Sequence, residues 1–328
     1  MDIDRFRASP AGELEPIHGH DAYLQRDYSH YAFVPRPAPT TITLSQSTYN
    51  SVTKAALALG RLDFAVRRLP DPRLLIRPVL RREAQSTSEL EGTYDSGQLR
   101  QRQVFIGERE LGIEESRFVP VPEGAMLEDG VSDWEQWINA PDDDMPLVVK
   151  AAVGHYQFEA LHPFSDGNGR LGRLVVVLQM IEAGTLTYPV LNLSPWLKPR
   201  KEQYKTLLLD VSATGDYDPW VKFFSTAVEA QAQDMVERIE QLLTVREELL
   251  RTAREHTIRG FAVDIIEDLI GYSSITPSTA AKRHNVQYKT ANDAIKRLEK
   301  LGILREITGA GYGRIYVSPR VTEIVLRP

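Results

Sequence analysis

Apolar residues along this chain recur every three or four positions over long stretches, and proline or glycine ends each stretch. Across 45–68, Val52, Ala55, Ala56, Leu59 and Leu62 keep helical spacing until Pro70 and Pro72. A second helix is expected over 73–90, with Gly92 as its stop. The segment 147–161 is apolar on all sides and free of proline, which predicts a buried helix. Residues 162–167 read as a loop. Residues 168–183 read as another buried helix, with Leu171, Leu174, Val175, Leu178 and Ile181 at helical spacing. Further helices are expected from Asp133 to Asn139, over 201–211, and over 219–254, the last of them long and charged.

Three regions break this rhythm. Residues 1–40 look extended, because Pro35, Pro37 and Pro39 disfavour helix. The short apolar runs 104–107 and 117–121 flank a polar stretch, the pattern of a hairpin with a loop of several residues. The tail reads as three helices, 258–270, 277–283 and 289–301, followed by a hairpin turned at Gly309, Gly311 and Gly313. That order is the pattern of a winged helix-turn-helix. The expected fold is mainly α: an N-terminal region (1–100), a helical core with a small β-hairpin (101–254), and the winged tail (255–328).

Composition narrows the chemistry. At 42% apolar and 26% charged residues, the 328-residue chain is an ordinary globular protein. It has no cysteine, which excludes disulfides, thiolate catalysis and cysteine-based zinc sites. There is no apolar run of about 18 residues and no signal-like start, so no membrane contact and a cytoplasmic location are expected. Net charge is −6, yet residues 258–328 hold 11 Lys+Arg against 7 Asp+Glu. A basic module on an acidic body points to DNA as a partner of the tail, although a solvated surface of uneven charge would give the same numbers.

The densest chemistry lies between the two buried helices, in His162-Pro163-Phe164-Ser165-Asp166-Gly167-Asn168-Gly169-Arg170-Leu171-Gly172-Arg173. Glycines let a ligand approach the main chain. The first turn of the helix that follows presents unpaired N–H groups at its positive end, an anion site. Arg170 and Arg173, three apart, share a face and suit a polyphosphate. Asp166 is a hard oxygen ligand of the kind Mg²⁺ accepts. The His162 imidazole can take a proton from an incoming hydroxyl. Singly, each residue reads as part of a tight turn; all of them within twelve residues do not.

This segment resembles the Fic family signature, HxFx(D/E)GNGRxxR, at every fixed position. The likeness extends over about residues 30–250 and takes in His155–Leu161 upstream and Leu191–Ser194 and Tyr204 downstream. It implies a Fic-type helical bundle and a protein adenylyltransferase that uses ATP and Mg²⁺. By resemblance, His162 is the general base, Phe164 anchors the loop, and Asp166 holds the metal. Gly167, Asn168 and Gly169 form the anion pocket, continued by Leu171 and Gly172. Arg170 contacts the phosphates and Arg173 orients the γ-phosphate. Val104 and Ile106 belong to a flap that pairs with the target's main chain. Tyr204 lies against the adenine.

Thr87-Ser88-Glu89-Leu90-Glu91-Gly92 matches the family's inhibitory pattern, (S/T)xxxE(G/N). The resemblance implies that Glu91 pairs with Arg173 and keeps ATP unproductive, with Thr87 and Gly92 framing that helix end. Expected partners are a target protein bearing a Tyr, Thr or Ser hydroxyl, the chain itself, DNA through the tail, and a second copy in a homodimer. Two rivals stay open: a DNA-binding regulator that senses ATP, and transfer of another phosphate-containing group.

Overall fold

The computed structural model describes residues 1–69, 72, 98–141, 145–272, 274–309 and 312–327. The helix expected over 73–90 and the inhibitory residues Thr87, Glu91 and Gly92 lie outside the described residues. The chain divides into two compact units. The first is Met1–Leu59, Glu83–Thr185 and Asn192–Gln231; the second is Gly60–Arg82, Leu186–Leu191 and Ala232–Pro328.

The first unit opens with a short helix, α1 (Ile3–Phe6), capped by the Asp2 side chain accepting from the Arg5 amide. The extended N-terminal stretch folds back on itself. Strands β1 (Gly12–Asp21) and β2 (Arg26–Pro35) pair antiparallel, from Gly12 opposite Pro35 to Asp21 opposite Arg26. β2 turns Phe33 inward, where it meets Phe6 and Phe118 with ring centroids 5.5 and 5.8 Å away. The helix expected over 45–68 is α2 (Gln46–Arg67).

α3 (Ala125–Asn139) begins well before Asp133. Gly130 reads as a breaker in sequence, but here it makes room: a Cβ at Gly130 would lie 2.6 Å from a Leu161 methyl. α4 (Leu147–Leu161) is buried nearly all round, as its composition demands. Two of its polar side chains reach carbonyls of neighbouring segments. The Lys150 ammonium donates to the Ala140 carbonyl at 2.6 Å, and the Gln157 amide to the Arg36 carbonyl at 2.9 Å. The indoles of Trp134 and Trp220 donate to the Gly154 and Ala152 carbonyls at 2.9 and 2.8 Å. α4 is therefore gripped by polar as well as apolar contacts.

α5 (Asn168–Glu182) corrects one expectation. Its buried residues are Asn168, Gly172, Val176, Val177 and Met180, whereas Leu171, Leu174 and Leu178 are exposed. Apolar residues surround this helix, so periodicity alone could not choose the inward face. The expected hairpin over 103–120 is also reduced. Ile106 and Phe118 form one isolated antiparallel bridge, and a 3-10 turn at Arg109–Leu111 fills the connection. Gly107, Gly112 and the polar run between the two apolar stretches keep a ladder from extending. The unit continues through α6 (Ser194–Leu197) and α7 (Lys201–Thr214). α8 (Asp218–Glu255) is the long charged helix foreseen.

In the second unit, α9 (Phe261–Asp268), α10 (Pro277–Arg283) and α11 (Tyr288–Lys300) match the three expected tail helices. β3 (Ser274–Ile275), β4 (Arg305–Glu306) and β5 (Tyr316–Val317) form a small antiparallel sheet in the order β3-β5-β4. A reciprocal Thr276–Thr279 box opens α10. A final helix, α12 (Pro319–Leu326), has no counterpart in the sequence reading. Arg238 donates to the Ile324 and Arg327 carbonyls at its end, at 2.8 and 3.0 Å.

Candidate active site

α4 ends at His162, whose backbone is left-handed, with φ 49° and ψ 58°. A residue with a Cβ adopts this conformation at a cost of about 1–2 kcal/mol, so neighbouring structure must impose it. Arg100 supplies that constraint. It is only 2% exposed. Its Nε donates to the His162 carbonyl at 2.9 Å, Nη1 to Arg102 at 3.3 Å, and Nη2 to the carbonyls of Val121 and Leu161. Its own amide donates to the Pro163 carbonyl at 2.9 Å. One guanidinium thus binds the backbone on both sides of the turn. Sequence reasoning missed Arg100, because a lone arginine 62 residues upstream of His162 carries no motif.

The loop is closed by Phe164 and Asn168. The Phe164 amide donates to Asn168 Oδ1 at 2.9 Å, and Asn168 Nδ2 donates back to the Phe164 carbonyl at 2.7 Å. The Phe164 ring packs on Phe158, 6.4 Å between centroids, as an anchor should. Asn168, buried to 2%, is therefore a brace for the loop.

Gly167 takes φ 84° at the start of α5, and among the described residues no side chain caps the helix there. The first-turn amides are left for an outside anion. Asp166 accepts from the Gly167 amide at 2.6 Å and faces Arg170 at 3.5 Å. A Cβ at Gly169 would meet Arg173 Nη1 at 3.0 Å and Glu159 Oε1 at 3.6 Å. The glycine lets this cation and carboxylate approach the main chain.

Behind the loop lies a polar layer. His155 Nε2 and the Tyr204 hydroxyl are 2.8 Å apart, and Glu159 Oε1 stands 3.8 Å from the same nitrogen. His155 stacks on Trp220 at 6.0 Å. A Cβ at Gly172 would be 3.0 Å from the His155 ring, which explains the glycine there. Burial, then the charge of Arg173, lowers His155 to about 4. Burial, then the Glu159 carboxylate, holds the Tyr204 phenol well above its ordinary value. Both groups are neutral at pH 7.

His162 is also neutral. Burial, then the Arg100 cation, lowers its pKa to about 4. Its Nδ1 makes no well-formed hydrogen bond among the described residues. A neutral imidazole with an unengaged nitrogen can accept a proton.

These groups face a cavity of about 760 Å³. His162, Asp166, Gly167, Asn168, Gly169, Arg173 and Tyr204 line it, as does Ile106 from the flap. Lys198, Lys201 and Lys205 line it too. Val104, Arg170, Leu171 and Gly172 are not part of the lining. Leu171 points outward, Gly172 packs on His155, and Arg170 lies beside Gly167. No cluster of three His, Asp or Glu side chains fit to hold a metal occurs among the described residues. A lone carboxylate at the loop suits Mg²⁺ only as an ion that arrives with phosphate oxygens and water.

The Fic/DOC family model matches residues 82–180, and the Fic/DOC family N-terminal model matches residues 49–105. Protein adenylyltransferase fic-1 of Caenorhabditis briggsae is 32% identical over 140 residues, which is 42% of this chain and 24% of that protein. Protein adenylyltransferase Fic of Culex quinquefasciatus is 31% identical over 136 residues, 41% of this chain and 24% of its own. The chain thus spans about a quarter of the length of these relatives. The crystal structure of a Fic family protein from Desulfovibrio desulfuricans overlays 86% of this chain and 98% of its own at a TM-score of 0.45 and 16% identity, too loose a likeness to carry an argument. Residues 49–180 match the two models in unbroken overlap and hold the whole signature loop, so this stretch of the chain is similar to the Fic/DOC family.

Proposed function

We propose that this chain transfers the AMP group of ATP to a side-chain hydroxyl of a protein, the chain itself included. The observation that carries the reading is the placement of His162, Arg173 and the uncapped amides of α5 on one cavity of about 760 Å³. Relatives named as protein adenylyltransferases support it.

In the proposed reaction the target hydroxyl oxygen forms a bond to the α-phosphorus. The bond from that phosphorus to the bridging oxygen breaks, and pyrophosphate leaves with its electron pair. The hydroxyl proton passes to His162, which is neutral and able to take it. The Asn168 and Gly169 amides and Arg173 hold phosphate charge as it shifts towards the leaving group. Mg²⁺, when bound, would be held by Asp166 and would neutralise phosphate charge. The Ile106 amide and carbonyl are taken up by the bridge to Arg117 and Phe118, so its neighbours Phe105 and Gly107, which line the cavity, offer the main chain along which an extended target segment can align. Tyr204 closes the wall where the base of the nucleotide would rest.

Arg173 is also the cation that Glu91 would occupy in an autoinhibited state. The triphosphate and the carboxylate would compete for one guanidinium, so loss of Glu91 should release activity. The test is intact-mass measurement of the wild type, Glu91→Gly and His162→Ala after incubation with ATP and Mg²⁺. Addition of AMP to Glu91→Gly and none to His162→Ala is expected. Equal addition to all three would sink the reading, and no gain in Glu91→Gly over the wild type would remove the brake.

A further inference from the structure

We propose that the second unit binds double-stranded DNA, with α11 in the major groove and the β4–β5 turn against the backbone beside it. The proposal rests on residues separate from the catalytic cavity and stands independently of the transfer reaction.

α11 is strongly two-sided. Ala291, Ala294, Ile295 and Leu298 are buried, and the opposite face exposes Lys289, Thr290, Asp293, Lys296, Arg297 and Lys300. The four cations on that face have no carboxylate partner among the described residues. Several arginines elsewhere in the unit are paired instead. Arg246 grips Glu267 with two bonds at 2.5 and 2.6 Å, Arg283 holds Asp268 at 2.6 Å, and Arg238 holds Asp234 at 2.6 Å. Four cations gathered on one helix face without carboxylate partners are a feature that a polyanion can use.

The geometry suits a duplex. α11 spans 13 residues, about 20 Å at 1.5 Å per residue, long enough to lie along a groove about 12 Å wide. Its amino-terminal turn presents Tyr288, Lys289 and Thr290, so side chains able to hydrogen-bond base edges sit at the leading end. The β4–β5 turn adds a second contact. Tyr312 is 92% exposed beside Gly313, whose φ is 68°. Arg305 and Arg314 flank this turn and are exposed. Glu306 folds back instead, accepting from the Thr308 and Gly309 amides at 2.7 and 2.9 Å, so its charge is spent on the turn itself. An almost fully exposed tyrosine between two arginines is poor design for a solvated turn and suited to a phosphate–sugar backbone.

A protein partner is the competing occupant. It would prize apolar area, yet on α11 the exposed face offers only Tyr288 among large apolar side chains. Charge favours the duplex.

The test uses the full chain and fluorescence anisotropy with a labelled 30-base-pair duplex of mixed sequence, titrated over a range of salt. Wild type should bind, with affinity falling steeply as salt rises. Lys296→Ala/Arg297→Ala should lower the slope of log affinity against log salt by about one per phosphate contact removed and weaken binding roughly tenfold at low salt. Tyr312→Ala should weaken binding with little change in slope. Selection from a random duplex pool then reads any sequence preference. Absence of duplex binding overturns the proposal, as does an unchanged affinity and slope in the double variant. Equal affinity for heparin and duplex overturns it too, because the face would then be a general polyanion surface.

Discussion

Arg100 Nε donates to the carbonyl of His162 at 2.9 Å, and through this bond a buried cation holds the catalytic candidate in a left-handed backbone. The same cation lowers the pKa of the imidazole. Arg100 therefore holds the position of His162 and adds to the burial that keeps its ring neutral. Arg100→Met should strand the carbonyls of His162, Leu161 and Val121. Each buried orphan costs about 1–3 kcal/mol, so a drop in unfolding free energy of several kcal/mol is expected in urea titrations. Arg100→Lys should recover only part of it, because an ammonium cannot fork across several carbonyls. Full stability in Arg100→Met would show that the clamp is ornamental.

His162→Ala should lower AMP transfer about 10²–10⁴-fold. Nucleotide affinity, read by calorimetry, should hardly change, since in the proposed complex the phosphates would be held by the α5 amides and Arg173. A parallel loss of affinity and rate would mean that the histidine shapes the pocket and is no base.

Tyr204→Phe removes the hydroxyl that sits 2.8 Å from His155 Nε2 and beside Glu159. Glu159 and Arg173 both crowd Gly169, so a disturbance at Tyr204 reaches the arginine through its carboxylate neighbour. The expected outcome is a KM for ATP raised several-fold with a smaller change in kcat. An unchanged KM would confine Tyr204 to packing.

The protein should lose stability in acid before its carboxylates titrate. His155 and His162 have folded pKa values of about 4, below the ordinary unfolded value of about 6.5. The unfolded chain therefore binds more protons between these limits. The contribution of the two neutral rings is complete above about pH 6.5 and is lost as pH falls towards 4. Thermal melts from pH 7.5 to 4.5 should show a falling midpoint, and the fall should be shallower in His162→Ala. A midpoint flat across that range would contradict the buried neutral rings.

What sequence could reveal follows from distance along the chain. His162, Asp166, Gly167, Asn168 and Gly169 form one turn and its helix start, so their chemistry is local and readable. Arg100, by contrast, acts only because folding brings it against α4's last turn. Nothing in its neighbours marks it. The faces of α5 were misread for a related reason: a helix with apolar residues all round leaves orientation to its neighbours, and Gly172 against His155 decides it. The flap was overextended because apolar runs promise strands without saying how many rungs will close. Apart from the one-turn α1, the N-terminal stretch is extended as its prolines suggest, yet pairing partners in a hairpin are set by the turn at Ala22–Gln25, which composition does not single out.

α4 is enclosed on every side, and its final residue hands over directly to the imidazole. A rod clamped along its length transmits small displacements to its tip. Loss-of-activity variants recovered from a random library should therefore scatter along Val148, Val149, Ala152 and Gly154, far from the nucleotide, at least as densely as they fall in the loop itself. The chain's vulnerable surface is largely its interior.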